Sequence, residues 1–500
     1  MADIKKLGHF IAGLRASRGM TQDELARALH TTQSAVARIE AGKQNLSAET
    51  LVKISGIFNR ELIATPKSIN FKIEGPTTLS GSVTTNSSKN GAVFLLCASL
   101  LNEGKTTLHD VPKIEEVNRI IEVLISIGAK IKWIAPRSVE IVPPKKIDLK
   151  NLNVESAIKT RSAILLIAPL IHKLKSFKLP HAGGCRLGKR TVRPHFYALQ
   201  NLGVDIETDS KNYKITVKNK LTPANIVMYE TGDTATGSAI MAAARINGTT
   251  AITFASSNYQ VQELCWFLEK CGVRIEGIGT HNLTIHGNPE IKKNIEYYIS
   301  EDPIDSMLYI TAAVLTSSSI EIKRCPIDFL GVELLKLEKM GFKFKVSKTY
   351  KAKNGYTNLV DIKTYPSKLR APDDKIHPLP YPGLNIDNLP FFVPIACIAE
   401  GTTLIHDWIY ENRAIHYTEL SKLRAEINLI DPHRVQIIGP TKFKPAEIVA
   451  PPALRPAAII LLAMLAAPGT SILRDVYSIN RGYEDIHKKL NSLGAKIKLF

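Results

Sequence analysis

Residues 104–133 read GKTTLHDVPKIEEVNRIIEVLISIGAKIKW, and their pattern decides the fold. A small-residue turn precedes an apolar strand, a loop follows, and an amphipathic helix then ends at Gly128 before a second strand. Residues 469–500, GTSILRDVYSINRGYEDIHKKLNSLGAKIKLF, repeat that order. Residues 248–277 and 401–430 repeat it as well, each starting with Gly-Thr-Thr. The chain therefore uses one α/β folding unit several times.

Two weaker copies, at residues 176–208 and 317–346, bring the number of predicted units to six. The helices of the six copies end at these residues: Gly128, Gly203, Gly272, Gly341, Arg424 and Gly494. Their spacing of roughly 70 to 80 residues is longer than that of solenoid repeats. We therefore expect six folding units.

Helices of small and apolar residues precede most of the copies. They are predicted at residues 91–101, 235–246, 306–315, 389–398 and 455–467. A helix that is apolar on nearly every side belongs in a protein interior. The sequence thus predicts α/β domains in which central helices are buried among strands and amphipathic helices.

The composition is that of an ordinary globular protein, with 44% hydrophobic and 22% charged residues in a chain of 500. This length predicts a soluble protein of two or three domains. The longest apolar run, residues 457–467, is about half of a membrane span, and residues 1–10 lack the apolar segment of a signal peptide. We expect a cytoplasmic protein that does not bind membranes.

Cysteine usage and charge narrow the choice of ligands. The six cysteines form no CxxC pair and no cluster with histidines, so neither a zinc site nor a disulfide framework is predicted. The net charge is +19, but residues 1–60 hold only nine Lys and Arg against five Asp and Glu. Because the positive excess is spread along the chain, it favours anionic small ligands at least as much as nucleic acid.

Residues 1–60 are predicted to form a small all-α domain. Thr21 has the sequence of a helix N-cap with Glu24 as its capping-box partner, and a later helix at residues 33–41 would end at Gly42. Residues 20–54 resemble the phage-repressor-like helix-turn-helix family, which implies DNA contacts from the recognition helix. The residues implied are Thr32, Gln33, Ser34, Ala37 and Arg38. The alternative is a module that has kept this fold and binds protein or its own chain. Residues 61–68 form a short linker.

The loop at residues 181–195, HAGGCRLGKRTVRPH, carries the clearest chemical signal. Cationic side chains follow Cys185 closely, and cations lower the pKa of a thiol. A cysteine beside basic residues is, taken alone, more often without catalytic role. Within the six repeats, however, Gly-Gly-Cys-x-x-Gly-x-Arg resembles the catalytic loop of the UDP-N-acetylglucosamine enolpyruvyl transferases. The related shikimate-pathway enzymes lack this loop.

Further motifs of the same family follow in its order along the chain. They are Ser88-Lys89-Asn90, Lys159-Thr160-Arg161, Tyr381 to Asp387, Glu411-Asn412-Arg413, Leu454-Arg455 and Asn480 to Glu484. Each string is weak alone, but the ordered set is specific. The resemblance covers residues 68–500 and implies the two-domain enolpyruvyl transferase fold, an inside-out α/β barrel of six βαβαββ-type repeats. One domain would comprise residues 69–88 and 301–500 with Asp387, and the other residues 89–300 with the Cys185 loop.

The resemblance also implies roles for individual residues. Enolpyruvyl transfer adds a sugar hydroxyl to C2 of phosphoenolpyruvate, protonates C3 and then eliminates phosphate. A substrate with both phosphate and carboxylate requires several fixed cations. The resemblance assigns these to Lys89, Arg190, Arg455 and Arg481. Cys185 would protonate C3, and Asp387 would accept the proton of the 3-hydroxyl or orient that hydroxyl.

The other implied contacts are to the UDP-amino sugar. They involve Asn90, Arg161, Thr191, Val192, Arg193, Ile409 and Arg413, in addition to Lys89, Arg190 and Asp387. For Arg413 a simple ion pair is the alternative. No metal or organic cofactor is implied, because side chains supply all of the required charge.

Three positions depart from the family pattern. Arg193 replaces a carboxylate near the uridine, and Ala453 replaces the acid of an Asp-Leu-Arg motif. Gly232-Asp233-Thr234 stands where a Ser-Val-Gly turn usually holds the diphosphate, so an acid occupies the place of a phosphate-binding turn. The sequence therefore leaves three alternatives open: an enzyme of peptidoglycan precursor synthesis acting on UDP-N-acetylglucosamine, transfer to another sugar nucleotide, and a UDP-sugar-sensing DNA-binding regulator.

Overall fold

The computed structural model describes residues 2–44, 46–58, 69–181, 183 and 191–500. The predicted linker at 61–68, Cys185 and Arg190 lie outside the described residues. Within the described part of the chain, no helix combines the length and the apolar character that a membrane span needs.

Four helices form the front domain: α1 (Ala2–Ser17), α2 (Gln22–Ala28), α3 (Gln33–Glu40) and α4 (Ala48–Phe58). The capping box at α2 is confirmed, since the Glu24 N–H donates to the Thr21 hydroxyl and the Thr21 N–H donates to the Glu24 carboxylate. Helix α3 ends one residue before the predicted end, and Gly42 follows in a left-handed conformation. Ile11, Val36 and Ile54 are buried in a separate small core.

The first half of the body has its own core, made of residues between 92 and 299. Its elements, after β1 (Phe71–Gly75) and β2 (Ser82–Thr84), are α5 (Lys89–Ala98), β3 (Thr106–His109), α6 (Glu115–Ser126), β4 (Lys130–Ala135), β5 (Ser138–Val142), α7 (Val154–Ile158), α8 (Ile167–Leu170), β6 (Ser176–Pro180), α9 (Arg193–Gln200), β7 (Val204–Thr208), β8 (Asn212–Val217), β9 (Asn225–Val227), α10 (Asp233–Ala243), β10 (Gly248–Thr253), α11 (Tyr259–Cys271), β11 (Arg274–Glu276), β12 (Asn282–Gly287) and β13 (Ile295–Tyr298). Its three sheets have the strand orders β13-β3-β5-β4, β6-β8-β7 and β11-β12-β10-β9.

The second half encloses another core, made of residues 71–83 and 304–497. Its elements are α12 (Pro303–Leu315), β14 (Glu321–Pro326), α13 (Gly331–Lys339), β15 (Lys343–Val346), β16 (Tyr350–Lys351), β17 (Asn358–Tyr365), α14 (Phe392–Ile398), β18 (Gly401–His406), β19 (Glu426–Asp431), β20 (Arg434–Gly439), β21 (Glu447–Val449), α15 (Leu454–Ala466), β22 (Gly469–Arg474), α16 (Tyr477–Asn480), α17 (Ile486–Ser492) and β23 (Lys496–Leu499). Its three sheets have the orders β15-β17-β14-β2, β18-β20-β19 and β21-β22-β1-β23.

The six described sheets confirm the six predicted units. The six predicted helix ends all have positive φ angles, and Arg424, at +74°, takes the conformation that glycine takes in the other five. Helices α5, α10, α12 and α15 are buried along most of their length, as predicted. Helices α10 and α12 begin two and three residues earlier than predicted, because their first turns carry the polar residues Asp233 and Asp305. The apolar pattern could not include those turns.

Two short segments join the halves side by side. The Ser88 N–H donates to the Ser300 carbonyl at 2.7 Å, and the Asp302 N–H donates to the Asn86 carbonyl at 2.8 Å. Helix α5 therefore starts with Lys89 directly at the junction of the two halves.

The front domain rests on the first half through the end of α1. The Trp133 indole N–H, in β4, donates to the Ser17 carbonyl at 2.8 Å. Arg18 forms an ion pair with Glu115, the first residue of α6, and both side chains are largely buried. Gly19 has a φ of +63° and approaches Trp133 so closely that a Cβ would lie 2.8 Å from the ring. The contact is therefore specific in shape as well as in charge.

Candidate active site

A cleft of about 590 Å³ lies between the two halves and is lined by residues from both. The starts of α5, α6 and α10 contribute from the first half. The loop at 379–387, the segment 408–413 and the start of α15 contribute from the second. Among the residues predicted from sequence, those that line the cleft are Lys89, Asn90, Arg161, Thr191, Asp387, Ile409, Arg413, Arg455 and Arg481. The fold thus brings together motifs that are almost four hundred residues apart.

Lys89 is held in place by a carboxylate that the sequence did not single out. Its ammonium lies 2.7 Å from Glu116, in the first turn of α6. Burial alone would raise the pKa of Glu116, but the charges of Lys89 and Arg481, with a hydrogen bond from Ser162, lower it to about 2. Glu116 is therefore ionised throughout the ordinary pH range and fixes a cation at the cleft.

Asp387 stands between two guanidinium groups in the opposite wall. Its carboxylate lies 3.6 Å from Arg455 and 4.0 Å from Arg413, and the side chain is 27% exposed. The backbone N–H of Asp387 donates to the Asn385 side chain at 2.9 Å, which fixes the loop locally. A carboxylate at this distance from two cations is stabilised in its charged form while it still faces the cleft.

Arg413 is 1% exposed and uses its donors mainly within the protein. It donates to Asp407 at 2.6 and 3.0 Å and to the Ile386 carbonyl at 2.9 Å. The Tyr417 hydroxyl donates to the same Asp407 at 2.6 Å. This buried cluster holds the backbone on which Asp387 stands.

Arg455 and Arg481 complete the cationic part of the cleft. Arg455, in the first turn of α15, donates to the Tyr483 hydroxyl, and its guanidinium lies 5.1 Å from the centre of the Tyr483 ring. Ala453, where the family pattern has an acid, is buried. Arg481 is partly exposed at the cleft. A rigid guanidinium and a more accessible one are suited to a small anion with two charged groups.

Asp233 contributes a second aspartate to the cleft, at the start of α10. Its carboxylate accepts hydrogen bonds from Ser256, at 2.5 Å, from Asn258, at 3.1 Å, and from Gln260. Burial, opposed by these neutral donors and reinforced by the charge of Asp387, raises the pKa of Asp233 to about 6. The two aspartates therefore lie in contrasting electrostatic surroundings.

Two of the predicted contacts do not line the cleft. Arg193 is the exposed first residue of α9, and Val192 packs partly against the first core. Thr191 does line the cleft, and its carbonyl accepts a hydrogen bond from Arg161 at 2.9 Å. Contacts of Val192 and Arg193 with a nucleotide remain predictions.

The Asn90 side chain donates to the Tyr259 hydroxyl at 2.9 Å, and Ile409 is 39% exposed. Asn90 is thus positioned by α11 of the same half, whereas Ile409 offers an apolar surface to the cleft from the other half. Tyr259 itself was missed, because nothing in its sequence surroundings separates it from the core residues of α11.

Glu116 and Asp407 were also missed by sequence reasoning. Each lies after the first strand of a repeat, Glu116 in KIEEV and Asp407 in LIHDW. An acidic residue in the segment that follows this strand, in a chain predicted to bind an anionic ligand, was the available signal. It would have indicated a cation held nearby.

The recognition helix of the front domain remains accessible while that domain rests on the body. Thr32, Gln33, Ser34 and Arg38 are exposed, and Ala37 is partly buried. The contact with the body is made instead at the end of α1 and just after it, by Ser17, Arg18 and Gly19. DNA contacts by these α3 residues remain a prediction.

Comparison with known families gives two matches. A family model described as EPSP synthase (3-phosphoshikimate 1-carboxyvinyltransferase) matches residues 73–490. A model described as Helix-turn-helix matches residues 11–63.

Curated relatives cover most of the chain. The UDP-N-acetylglucosamine 1-carboxyvinyltransferase of Bradyrhizobium diazoefficiens is 34% identical over 439 residues, which make up 86% of this chain and 98% of that protein. The enzyme of the same name from Treponema denticola is 33% identical over 434 residues, covering 85% and 98%.

Solved structures give the same fold. The enolpyruvyl transferase NikO from Streptomyces tendae superposes with a TM-score of 0.76 at 24% identity, covering 87% of this chain and 99% of that one. EPSP synthase from Acinetobacter baumannii superposes with a TM-score of 0.68 at 17% identity, covering 87% and 100%. At these identities the likeness establishes the fold only. Together with the family match and the curated relatives, it shows that this chain belongs to the EPSP synthase family of enolpyruvyl transferases, is a transferase, and carries an N-terminal helix-turn-helix domain.

Proposed function

We propose that the chain transfers the enolpyruvyl group of phosphoenolpyruvate to the 3-hydroxyl of UDP-N-acetylglucosamine and releases phosphate. The observation that carries this proposal is Asp387, which faces the cleft between Arg455 and Arg413 while Lys89 lies in the same cleft on the other half. A base beside fixed cations is what the addition of a hydroxyl to an anionic enol phosphate requires. The names of the curated relatives support the choice of acceptor.

In this mechanism the acceptor oxygen forms a bond to C2 of phosphoenolpyruvate while C3 gains a proton. Asp387 accepts the hydroxyl proton, and Cys185, on the strength of its family motif, supplies the proton to C3. The resulting tetrahedral intermediate then returns a proton from C3 to the Cys185 thiolate left by the first step, as the bond between C2 and the phosphate oxygen breaks and phosphate leaves. Lys89, Arg455 and Arg481, with Arg190 by resemblance, would hold the phosphate and carboxylate throughout.

The test is phosphate release from phosphoenolpyruvate, with and without UDP-N-acetylglucosamine. We expect one phosphate for each acceptor consumed, and none when either substrate is omitted. Cys185→Ala should lose this activity, whereas Cys397→Ala, which alters a buried thiol in the second core, should keep it. Absence of acceptor-dependent release, or a Cys185→Ala protein equal to the parent, would contradict the proposal.

A second candidate is a DNA-binding regulator that senses a UDP-sugar. It is favoured by the exposed polar face of α3, which the contact with the body leaves open. Selection from a random DNA library at about 150 mM salt should enrich one site, because nonspecific binding weakens with salt. Arg38→Ala should lose that site, and Lys53→Ala on α4 should retain it. If the affinity for that DNA site does not change when UDP-N-acetylglucosamine is added, the protein does not sense this sugar nucleotide through DNA binding.

The third candidate is transfer to another sugar nucleotide in the same cleft. It is favoured by Asp233, an acid at a position where the family pattern has a phosphate-holding turn. A panel of sugar nucleotides in the phosphate-release assay would rank the acceptors directly.

A further inference from the structure

The first turn of α10 faces the cleft and carries a negatively charged side chain of the protein itself, Asp233. Helix α10 has eleven residues, begins at Asp233 and follows Gly232, whose lack of a side chain leaves the helix without a side-chain cap. The free N–H groups at the start of a helix, together with the helix dipole, attract anions such as phosphate. Here the carboxylate of Asp233 already lies at that end.

The Asp233 carboxylate is fully engaged by the neighbouring segment. Ser256, Asn258 and Gln260 all donate to it, and they lie just before and within the start of α11. The Ser256 N–H also donates to Thr236 in α10, at 3.0 Å. Asp233 is therefore fixed in position and would not move aside at little cost when a ligand enters.

A second carboxylate lies close by at the edge of the cleft. Glu230 is exposed, lines the cleft and approaches Gly232 so closely that a Cβ on that glycine would lie 2.9 Å from its carboxylate. Across the cleft, Asp387 is near enough to Asp233 to interact with it electrostatically. A phosphate placed at the start of α10 would meet negative charge from several directions.

We propose that Asp233 determines acceptor specificity by disfavouring any acceptor that places a phosphate against the first turn of α10. This inference rests on the proposed function, in which the acceptor hydroxyl lies at Asp387 and the rest of the acceptor extends along the same cleft. An acceptor whose part near α10 donates hydrogen bonds, such as a hydroxyl or amide, is then preferred to one that brings a phosphate there. A nucleotide diphosphate binds weakly there.

The experiment compares the parent with Asp233→Asn, which keeps the shape of the side chain and removes its charge. The KM for UDP-N-acetylglucosamine should fall about tenfold in the variant, while the KM for phosphoenolpyruvate changes less than twofold. Asp233→Glu, which keeps the charge, should not lower the KM for the sugar nucleotide. Asp205→Asn, in β7, provides the control for removing a carboxylate of the first half that does not line the cleft.

A second variant covers the case in which Asp233→Asn fails to fold. Glu230→Gln removes an exposed charge at the same edge and should lower the KM for UDP-N-acetylglucosamine two- to threefold. An unchanged or higher KM in both charge-neutralised variants would overturn the inference.

Direct binding separates this inference from the proposed function. If neither the parent nor Asp233→Asn turns over UDP-N-acetylglucosamine, the proposed function fails, and calorimetry with UDP as the probe then decides the inference. Binding at least fivefold tighter to Asp233→Asn than to the parent would support it. Equal affinity, including no detectable binding to either protein, would overturn it.

Discussion

Asp233 and Asp387 face the same cleft from opposite halves, yet their surroundings differ in kind. Asp387 lies near the guanidinium groups of Arg455 and Arg413. Asp233 is surrounded by hydroxyl and amide donors. Cations beside a carboxylate stabilise its charge and leave it available to a substrate, whereas neutral donors tie it into the protein. The nearest partners of an acid, rather than its presence in a cleft, therefore indicate its role.

The largest expected effect comes from neutralising Asp387, the aspartate that we propose as the proton acceptor. Asp387→Asn should lower turnover of the phosphate-release reaction by about 100- to 10,000-fold, since it removes the proposed proton acceptor. Steady-state kinetics with UDP-N-acetylglucosamine measure this effect. Asp431→Asn, an acid at the end of β19 and outside the cleft lining, should stay within twofold of the parent. Turnover by Asp387→Asn within tenfold of the parent would remove the distinction between the two aspartates.

The second largest effect is expected on stability, from breaking the Arg413–Asp407 ion pair that supports the loop of Asp387. Arg413→Met leaves Asp407 buried without its cation, which costs about 3–5 kcal/mol for a buried ion pair that loses one partner. Denaturant unfolding followed by circular dichroism measures the loss. The double change Arg413→Met with Asp407→Asn should recover part of it, because the unpaired charge is gone. A loss below about 1 kcal/mol would mean that this cluster does not hold the loop.

The pH dependence of stability should reveal the contrasting state of Asp233. Its pKa is raised from an ordinary 3.8 to about 6, so the folded protein holds a proton that the unfolded chain has released. Its contribution therefore makes the unfolding free energy fall as the pH rises from about 4 to 6, and remain lower above that. Relative to the parent, Asp233→Asn should gain about 2–3 kcal/mol between pH 4 and pH 7.5. A difference that does not vary with pH would contradict the raised pKa.

The smallest effect on the KM is expected from a substitution outside the cleft lining, at Arg193. Arg193 is exposed on α9 and does not line the cleft, so Arg193→Ala should change the KM for UDP-N-acetylglucosamine less than twofold. Arg161→Ala, which removes a cation from the lining, provides the comparison and should raise that KM several-fold. A larger effect at Arg193 than at Arg161 would show that the nucleotide extends beyond the cleft described.

The repeats were predictable because their signals are local. Helical periodicity, apolar helices and the glycines that end the helices lie within single stretches of sequence, and the structure confirms all six units. The family motifs likewise indicated many of the charged residues that line the cleft, among them Lys89, Asp387 and Arg455. The partners of those residues were not predictable, because the pairing of Lys89 with Glu116 depends on how α5 and α6 pack. The contact of Arg18 with Glu115 depends in the same way on the fit of two domain surfaces, which has no sequence period.

Strand β1 has a consequence for the order in which the protein folds during translation. It lies between β22 and β23, and Phe71 pairs with both Leu473 and Leu499. These partners emerge from the ribosome about 400 residues later, which at typical synthesis rates is roughly 20 to 80 s. During that interval the first half can fold as an insertion between the two parts of the second. Strand β1 is therefore synthesised long before the two strands with which it pairs, and its sheet can form only at the end of translation.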